Sequence, residues 1–290
     1  MGDILIMTEK QKGIIFIITS AFLFALMNLF VKLSGNLPAI QKAFFRNAGA
    51  FIISLAVILK HQKAIHIKKD AIPLLIFRAL FGTVGIVCNF YALTQLQLSD
   101  ASTLSKLAPF FVVIFSFLFL KENIKSYQAI AIIVAFLASL LIVKPSFSGS
   151  NYTLYAIIAT CGAMGAGAAY TCIRALSKHN VNGSVIVFFF SLISCLIMLP
   201  FSIVFYKHME HIQILYLIGA SVSGALAQFA VTQAYMHAPG KEISLYDYSQ
   251  VIFASLMGFI FYEEFPDLYS ILGYGLIFSA SFYMFIRKDS

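Results

Sequence analysis

The sequence predicts an all-α polytopic membrane protein, with ten transmembrane helices in two inverted five-helix repeats. Three observations predict it. The 290 residues are 60% hydrophobic and 11% charged, with mean hydropathy +0.89, whereas soluble domains run about half apolar and about a quarter charged. The apolar residues fall into ten stretches near the ~20 residues that a bilayer core requires. The second half of the chain also repeats features of the first at a constant offset.

The first stretch, 13–33, follows Lys10 and Lys12, and no small-residue cleavage site follows it. It is expected to be a retained span and not a signal peptide. Pro38 opens the second, 38–59. The third and fourth, 71–92 and 99–120, flank a short polar link. Pro145 and Gly149 follow the fifth, 127–144, and the sixth is 152–174. Gly183 opens the seventh, 183–206, and the eighth is 211–236. Pro239-Gly240 precede the ninth, 242–262, and Pro266 precedes the tenth, 267–286. Gly and Pro punctuate such boundaries. No link is long enough for a soluble domain.

The formal charge of +8 does not point to nucleic acid, because the cations sit in short links. With the N-terminus inside, the inner segments carry Lys10, Lys12, Lys60, Lys63, Lys68, Lys69, Lys121, Lys125, Arg174, Lys178, Lys241, Arg287 and Lys288. The outer links carry only Lys32, Lys144 and Lys207. The positive-inside rule then predicts both termini in the cytoplasm, and the expected location is the plasma (inner) membrane. Cys88, Cys161, Cys172 and Cys195 all lie in apolar stretches without a C-x-x-C pair. They read as small buried apolar residues. No metal, cofactor or catalytic residue is expected.

At an offset of 142, Gly82 faces Gly224, Ala92 faces Ala234, Phe119 faces Phe261, Glu122 faces Glu264 and Tyr127 faces Tyr269. Lys32 and Arg174 exchange one cation for another. The expected domains are a first repeat over 1–144 and a second over 145–290. Five spans per repeat is an odd number, so the second repeat enters from the opposite side. Inverted repeats place a solute site near the midplane between the halves.

Charges at bilayer depth cost at least ~2.5 kcal/mol each on insertion scales, so they usually face a wet interior. Lys106 is the foremost candidate, with Ser99, Ser102 and Thr103 at helical spacing on the same face of a continuous fourth span. Asp247 is read as the only carboxylate clearly within a span. It could bind an amine, carry a coupling proton or neutralise Lys106 or Arg78. Tyr248 and Gln250 flank it. Arg46 is a deep cation on the second span, whereas Lys42 is expected near the interface. Arg78, Gly82, Gly85 and Asn89 form one stripe, with Arg78 read as an anchor at the inner helix end. Asn28, Tyr91, Tyr170, Gln228 and Tyr235 complete the candidate substrate-binding set. Gly162, Gly165 and Gly167 read as tight packing, and Glu122 and Glu264 as helix-end features.

Three strings in the first half carry a family likeness: Phe90-Tyr91-Ala92-Leu93, Leu107-Ala108-Pro109-Phe110 and Phe119-Leu120-Lys121-Glu122-Asn123. In the second half it lies in Tyr248-Ser249-Gln250-Val251-Ile252-Phe253-Ala254 and Phe261-Tyr262-Glu263-Glu264-Phe265-Pro266. Over essentially its whole length the chain resembles the drug/metabolite transporter superfamily, and within it the ten-span branch with two EamA-type repeats. It departs from that pattern at Lys121 and Glu263, where glycine is usual, and at Val251, where proline is frequent. The resemblance implies that spans 1, 3, 4, 6, 8 and 9 line a central cavity.

The expected function is a secondary transporter that moves a small zwitterionic or anionic metabolite by alternating access, with the choice of a coupling proton, an exchange solute or neither left open. The expected partners are that metabolite and the lipid bilayer; the oligomeric state stays open. Ala43-Phe44-Phe45-Arg46 with Glu264-Phe265-Pro266-Asp267 is similar to S-adenosylmethionine carriers, which gives an alternative within the family. A channel or a membrane-embedded enzyme is the alternative of another class. The chain has no G-x-x-x-x-G-K-[ST] loop for ATP and no H-E-x-x-H.

Overall fold

A computed structural model describes residues 8–60, 67–121, 125–143, 151–238, 243 and 246–287. The readings that rest on Lys63, Glu122, Asn123, Lys144, Pro145, Gly149, Pro239, Gly240, Lys241 and Lys288 concern positions outside the described residues.

The chain is an all-helical polytopic membrane protein. Seven stretches are long and apolar enough to cross a bilayer, and three shorter apolar helices complete ten. In order they are α1 Glu9–Leu33, α2 Ala39–Lys60, α3 Ile72–Ala92, α4 Leu98–Ser105, α5 Ala108–Leu120 and α6 Ser126–Val143 in the first half. The second half holds α7 Asn151–Lys178, α8 Gly183–Val204, α9 His211–His237, α10 Ser249–Tyr262 and α11 Leu268–Ile286. Large side chains such as Ile52, Val84, Phe119, Val204 and Ile260 stand at least half exposed around the bundle. Lipid, not water, is the solvent that such a surface fits.

Helix ends follow the local chemistry. Thr8 and Gln11 form a reciprocal capping box at the start of α1, as do Glu210 and Gln213 at the start of α9. Asn182 caps α8 and Asp267 caps α11. The Lys42 ammonium donates to the carbonyls of Val31 and Gly35, at 3.0 and 2.6 Å, and so satisfies the C-terminal end of α1.

The fourth span corrects the sequence reading. It is two helices, α4 and α5, broken at Lys106-Leu107. Pro109 explains the break: its ring has no N–H to donate and would clash with the carbonyl four residues back, which belongs to Ser105. Lys106 therefore caps α4 through its main-chain N–H to Thr103, at 2.9 Å, instead of continuing a polar helical stripe. The ninth span has a matching interruption, where Tyr248 lies in a turn and α10 starts at Ser249.

Packing follows the duplication. Helix α1 packs along α9, α3 along α7, α2 against α8 and α9, and α3 against α8; α6 meets α11, α5 meets α7, and α10 meets α1. Replacing each span by its counterpart five spans away turns this set of neighbours into itself. The α1–α9 pair becomes α7–α3, α5–α7 becomes α10–α1, and α2–α8 and α6–α11 map onto themselves. The buried faces are rich in small residues, among them Ala25, Ala79, Ala163, Ala220 and Ala254. Small residues let membrane helices approach closely without a hydrophobic drive between them.

The duplication extends to backbone angles. Lys121 and Glu263, 142 positions apart, both end their helices with φ near 53°. That left-handed posture costs a residue with a Cβ about 1–2 kcal/mol, and glycine avoids the cost. Glu263 is exposed, so Glu263→Gly is expected to stabilise the protein by about 1 kcal/mol. A thermal melt in detergent checks this: the variant should melt a few degrees higher.

Candidate functional site

Where the two halves meet, α1, α2, α3, the α4–α5 break, α7, α8, α9 and the start of α10 enclose a cavity of about 110 Å³. Eight of the expected residues line it: Lys106, Asp247, Arg46, Asn28, Asn89, Tyr170, Gln228 and Gln250. Lys106 Nζ lies 2.7 Å from Asp247 Oδ2, a nearly dehydrated ion pair. Asn89 donates to the Asn28 side chain at 3.3 Å and links α3 to α1 within the cavity wall.

The other three expected residues lie behind or away from the wall. Tyr235 stacks on Tyr170 with ring centroids 5.0 Å apart and backs that residue. The Tyr248 hydroxyl donates to the Lys106 carbonyl at 3.0 Å and braces the helix break. Tyr91 points out of the bundle: it is 44% exposed and stacks on Tyr155. Two positions past Asn89 along a helix is a turn of about 200°, so the two side chains cannot share a face.

Sequence reasoning undervalued Arg78 and missed Phe190. Arg78 lines the cavity and is 2% exposed, so it is no interfacial anchor. Phe190 brings α8 into the wall, and its ring takes the Arg78 guanidinium at 4.0 Å and that of Arg46 at 5.7 Å. Arg46 also donates to Asn47 Oδ1 at 2.8 Å and to the Gly224 carbonyl at 3.1 Å. Among the described residues neither guanidinium has a carboxylate partner. Among the described residues the wall therefore holds three cations and one carboxylate.

Two further polar clusters lie outside the cavity. Asp100, on α4, is 1% exposed and accepts hydrogen bonds from Tyr152 on α7 and, at 2.5 Å, from Tyr274 on α11. Asp247 is thus not the only carboxylate within a span. Glu264 pairs with Lys32 and accepts the Leu98 N–H at 2.8 Å, which ties the ends of α1 and α10 to the first turn of α4. It is a helix-end feature, away from the cavity wall.

The EamA-like transporter model matches residues 11–144 and again residues 153–286. The chain belongs to the EamA-like transporter family. The second match begins and ends 142 positions after the first, which is the offset read from the sequence. This EamA transporter is 34% identical over 275 residues to the pseudopaline exporter CntI of Pseudomonas aeruginosa (strain UCBPP-PA14), covering 93% of this chain and 94% of that one. It is 28% identical to an uncharacterized transporter of Helicobacter pylori (strain J99), covering 91% of each chain. A riboflavin transporter of Brucella anthropi is 24% identical, covering 92% of this chain and 95% of that one. A crystal structure with 14% identity superposes with a TM-score of 0.70, over 96% of this chain and 99% of that chain, and shares its fold. The protein is a transporter in the membrane and not an enzyme.

Proposed function

We propose that this EamA transporter is a secondary carrier for a small zwitterionic or anionic metabolite, which it binds in the central cavity and passes by alternating access. One observation carries the reading: a cavity between two related halves is walled by Arg46, Arg78 and the Lys106–Asp247 pair. An excess of cations attracts an acid, and the ion pair offers one contact for each end of a zwitterion. Export is the favoured direction, because the relative named for export is also the one with 34% identity. Both termini in the cytoplasm follow from the lysine and arginine distribution, and tags accessible from opposite faces would overturn that orientation.

Counterflow in proteoliposomes tests the carrier. The protein is reconstituted and challenged with labelled amino acids, S-adenosylmethionine and riboflavin. At least one solute is expected to show saturable uptake, accelerated several-fold by the same solute on the far side. Flux without saturation and without this acceleration would identify a channel.

A further inference from the structure

We infer that Arg46 and Arg78, which share the ring of Phe190, form a receptor for a carboxylate of the transported solute. The inference rests on the carrier reading for the word "transported" and adds to it the chemical group and the residues that take it.

Burial is the first argument. Arg46 is 1% exposed and Arg78 is 2% exposed. Removing a guanidinium from water carries a large desolvation cost even after the surroundings relax. A cation–π contact returns part of that cost but supplies neither a counter-charge nor an acceptor for the N–H groups. The Phe190 ring is therefore too weak a partner for two such groups, and the carbonyl and amide oxygens around Arg46 offset only part of the rest.

Unused donors are the second argument. The Nε of Arg46 and the Nε of Arg78 are both buried without a hydrogen-bond partner. Both side chains belong to the cavity wall. A carboxylate supplies the missing charge and the missing acceptors together, and the guanidinium fork matches its two oxygens.

Preorganisation is the third. Gly82 and Gly224 occupy equivalent places in the two repeats, and each makes room for one of these arginines. A Cβ on Gly82 would run into Arg78 Nη1 and the Phe190 ring. A Cβ on Gly224 would come within 2.9 Å of Arg46 Nε. The duplicated glycine thus clears the space for a guanidinium once in each half, although the arginines themselves are not repeat equivalents.

The test uses purified protein in detergent at fixed ionic strength. Three acids are compared with their amides by thermal shift titration: succinate with succinamide, L-glutamate with L-glutamine, and nicotinate with nicotinamide. At least one acid is expected to bind about ten-fold or more tightly than its amide, the size of a charge-assisted hydrogen bond. Arg46→Gln and Arg78→Gln should each reduce that ratio to about two-fold or less, since the amide side chain keeps a donor but not the charge. Should a glutamine variant fail to fold, Arg78→Lys replaces it; this variant keeps the charge without the planar fork, and at least a five-fold loss of the ratio is expected. An acid preference absent in the parent, or retained in folded variants, overturns the receptor. Counterflow separates this from the carrier reading. Transport of a neutral or cationic solute with no acid preference leaves the carrier and removes the receptor, whereas acid preference without any counterflow does the reverse.

Discussion

Lys106→Met is expected to abolish solute flux and to lower the unfolding free energy by about 3 kcal/mol, because it leaves Asp247 as an unpaired buried carboxylate. The two side chains are 5% and 14% exposed, and their charged atoms lie 2.7 Å apart. The Lys106 aliphatic chain can be copied by methionine, so the loss isolates the charge. The companion experiment removes both partners. Lys106→Met with Asp247→Leu should recover most of the lost stability, since an apolar pair of similar volume often matches a buried ion pair. Flux should stay absent if, as proposed, the two charges contact the solute. Denaturant or thermal unfolding in detergent, read beside proteoliposome flux, gives both quantities. A double variant as unstable as the single one would mean that Lys106 is held by more than Asp247.

Gly165→Leu is expected to have a large structural effect on the packing of α7. A Cβ at Gly165 would meet the Phe81 carbonyl oxygen at 2.9 Å and the Gly85 main-chain nitrogen at 3.1 Å. These are backbone atoms and cannot swing aside. Gly162 and Gly85 meet reciprocally: a Cβ added to either would lie 3.1 Å from the other's carbonyl oxygen. The α3–α7 interface is thus a contact of main chain on main chain, and a leucine forces the two helices apart. Overpacking of this kind costs about 1–3 kcal/mol where side chains can shift, and more is expected where only backbone can. Folded yield by gel filtration in detergent should fall at least several-fold. Gly275→Ala is the control: a Cβ there meets nothing within 4 Å, so yield should be unchanged.

Much of this architecture was legible because membrane physics writes it into composition. Ten apolar stretches are needed to cross ten times, and most of their bounds in the structure fall close to those read from the sequence; the ninth, read as 242–262, becomes a continuous helix only from Ser249. The repeat was legible through Gly82–Gly224 and the aromatic matches, although its consequence, an arginine beside each glycine, was not. That juxtaposition is tertiary: Arg78 lies four residues from Gly82, but Arg46 reaches Gly224 across the bundle. Arg78 was visible as a charge, yet its place near a helix end suggested an interfacial role that burial rules out. Phe190 carried no signal, being one of 30 phenylalanines. The break at Lys106 had a visible cause in Pro109, but a continuous apolar run concealed it. Asp100 was overlooked because its partners, Tyr152 and Tyr274, come from two distant helices.

The hydrogen bond from the Tyr248 hydroxyl to the Lys106 carbonyl joins two positions that are copies of each other. A strict dyad would make this contact reciprocal, with the same donor and acceptor on each side, whereas here the tyrosine hydroxyl donates and the lysine main chain accepts. With a lysine in one copy and a tyrosine in the other, one contributes its side chain and the other its main chain. The likeness between the halves must therefore end at their centre. It is there, beside the ion pair, that the two copies cease to be interchangeable.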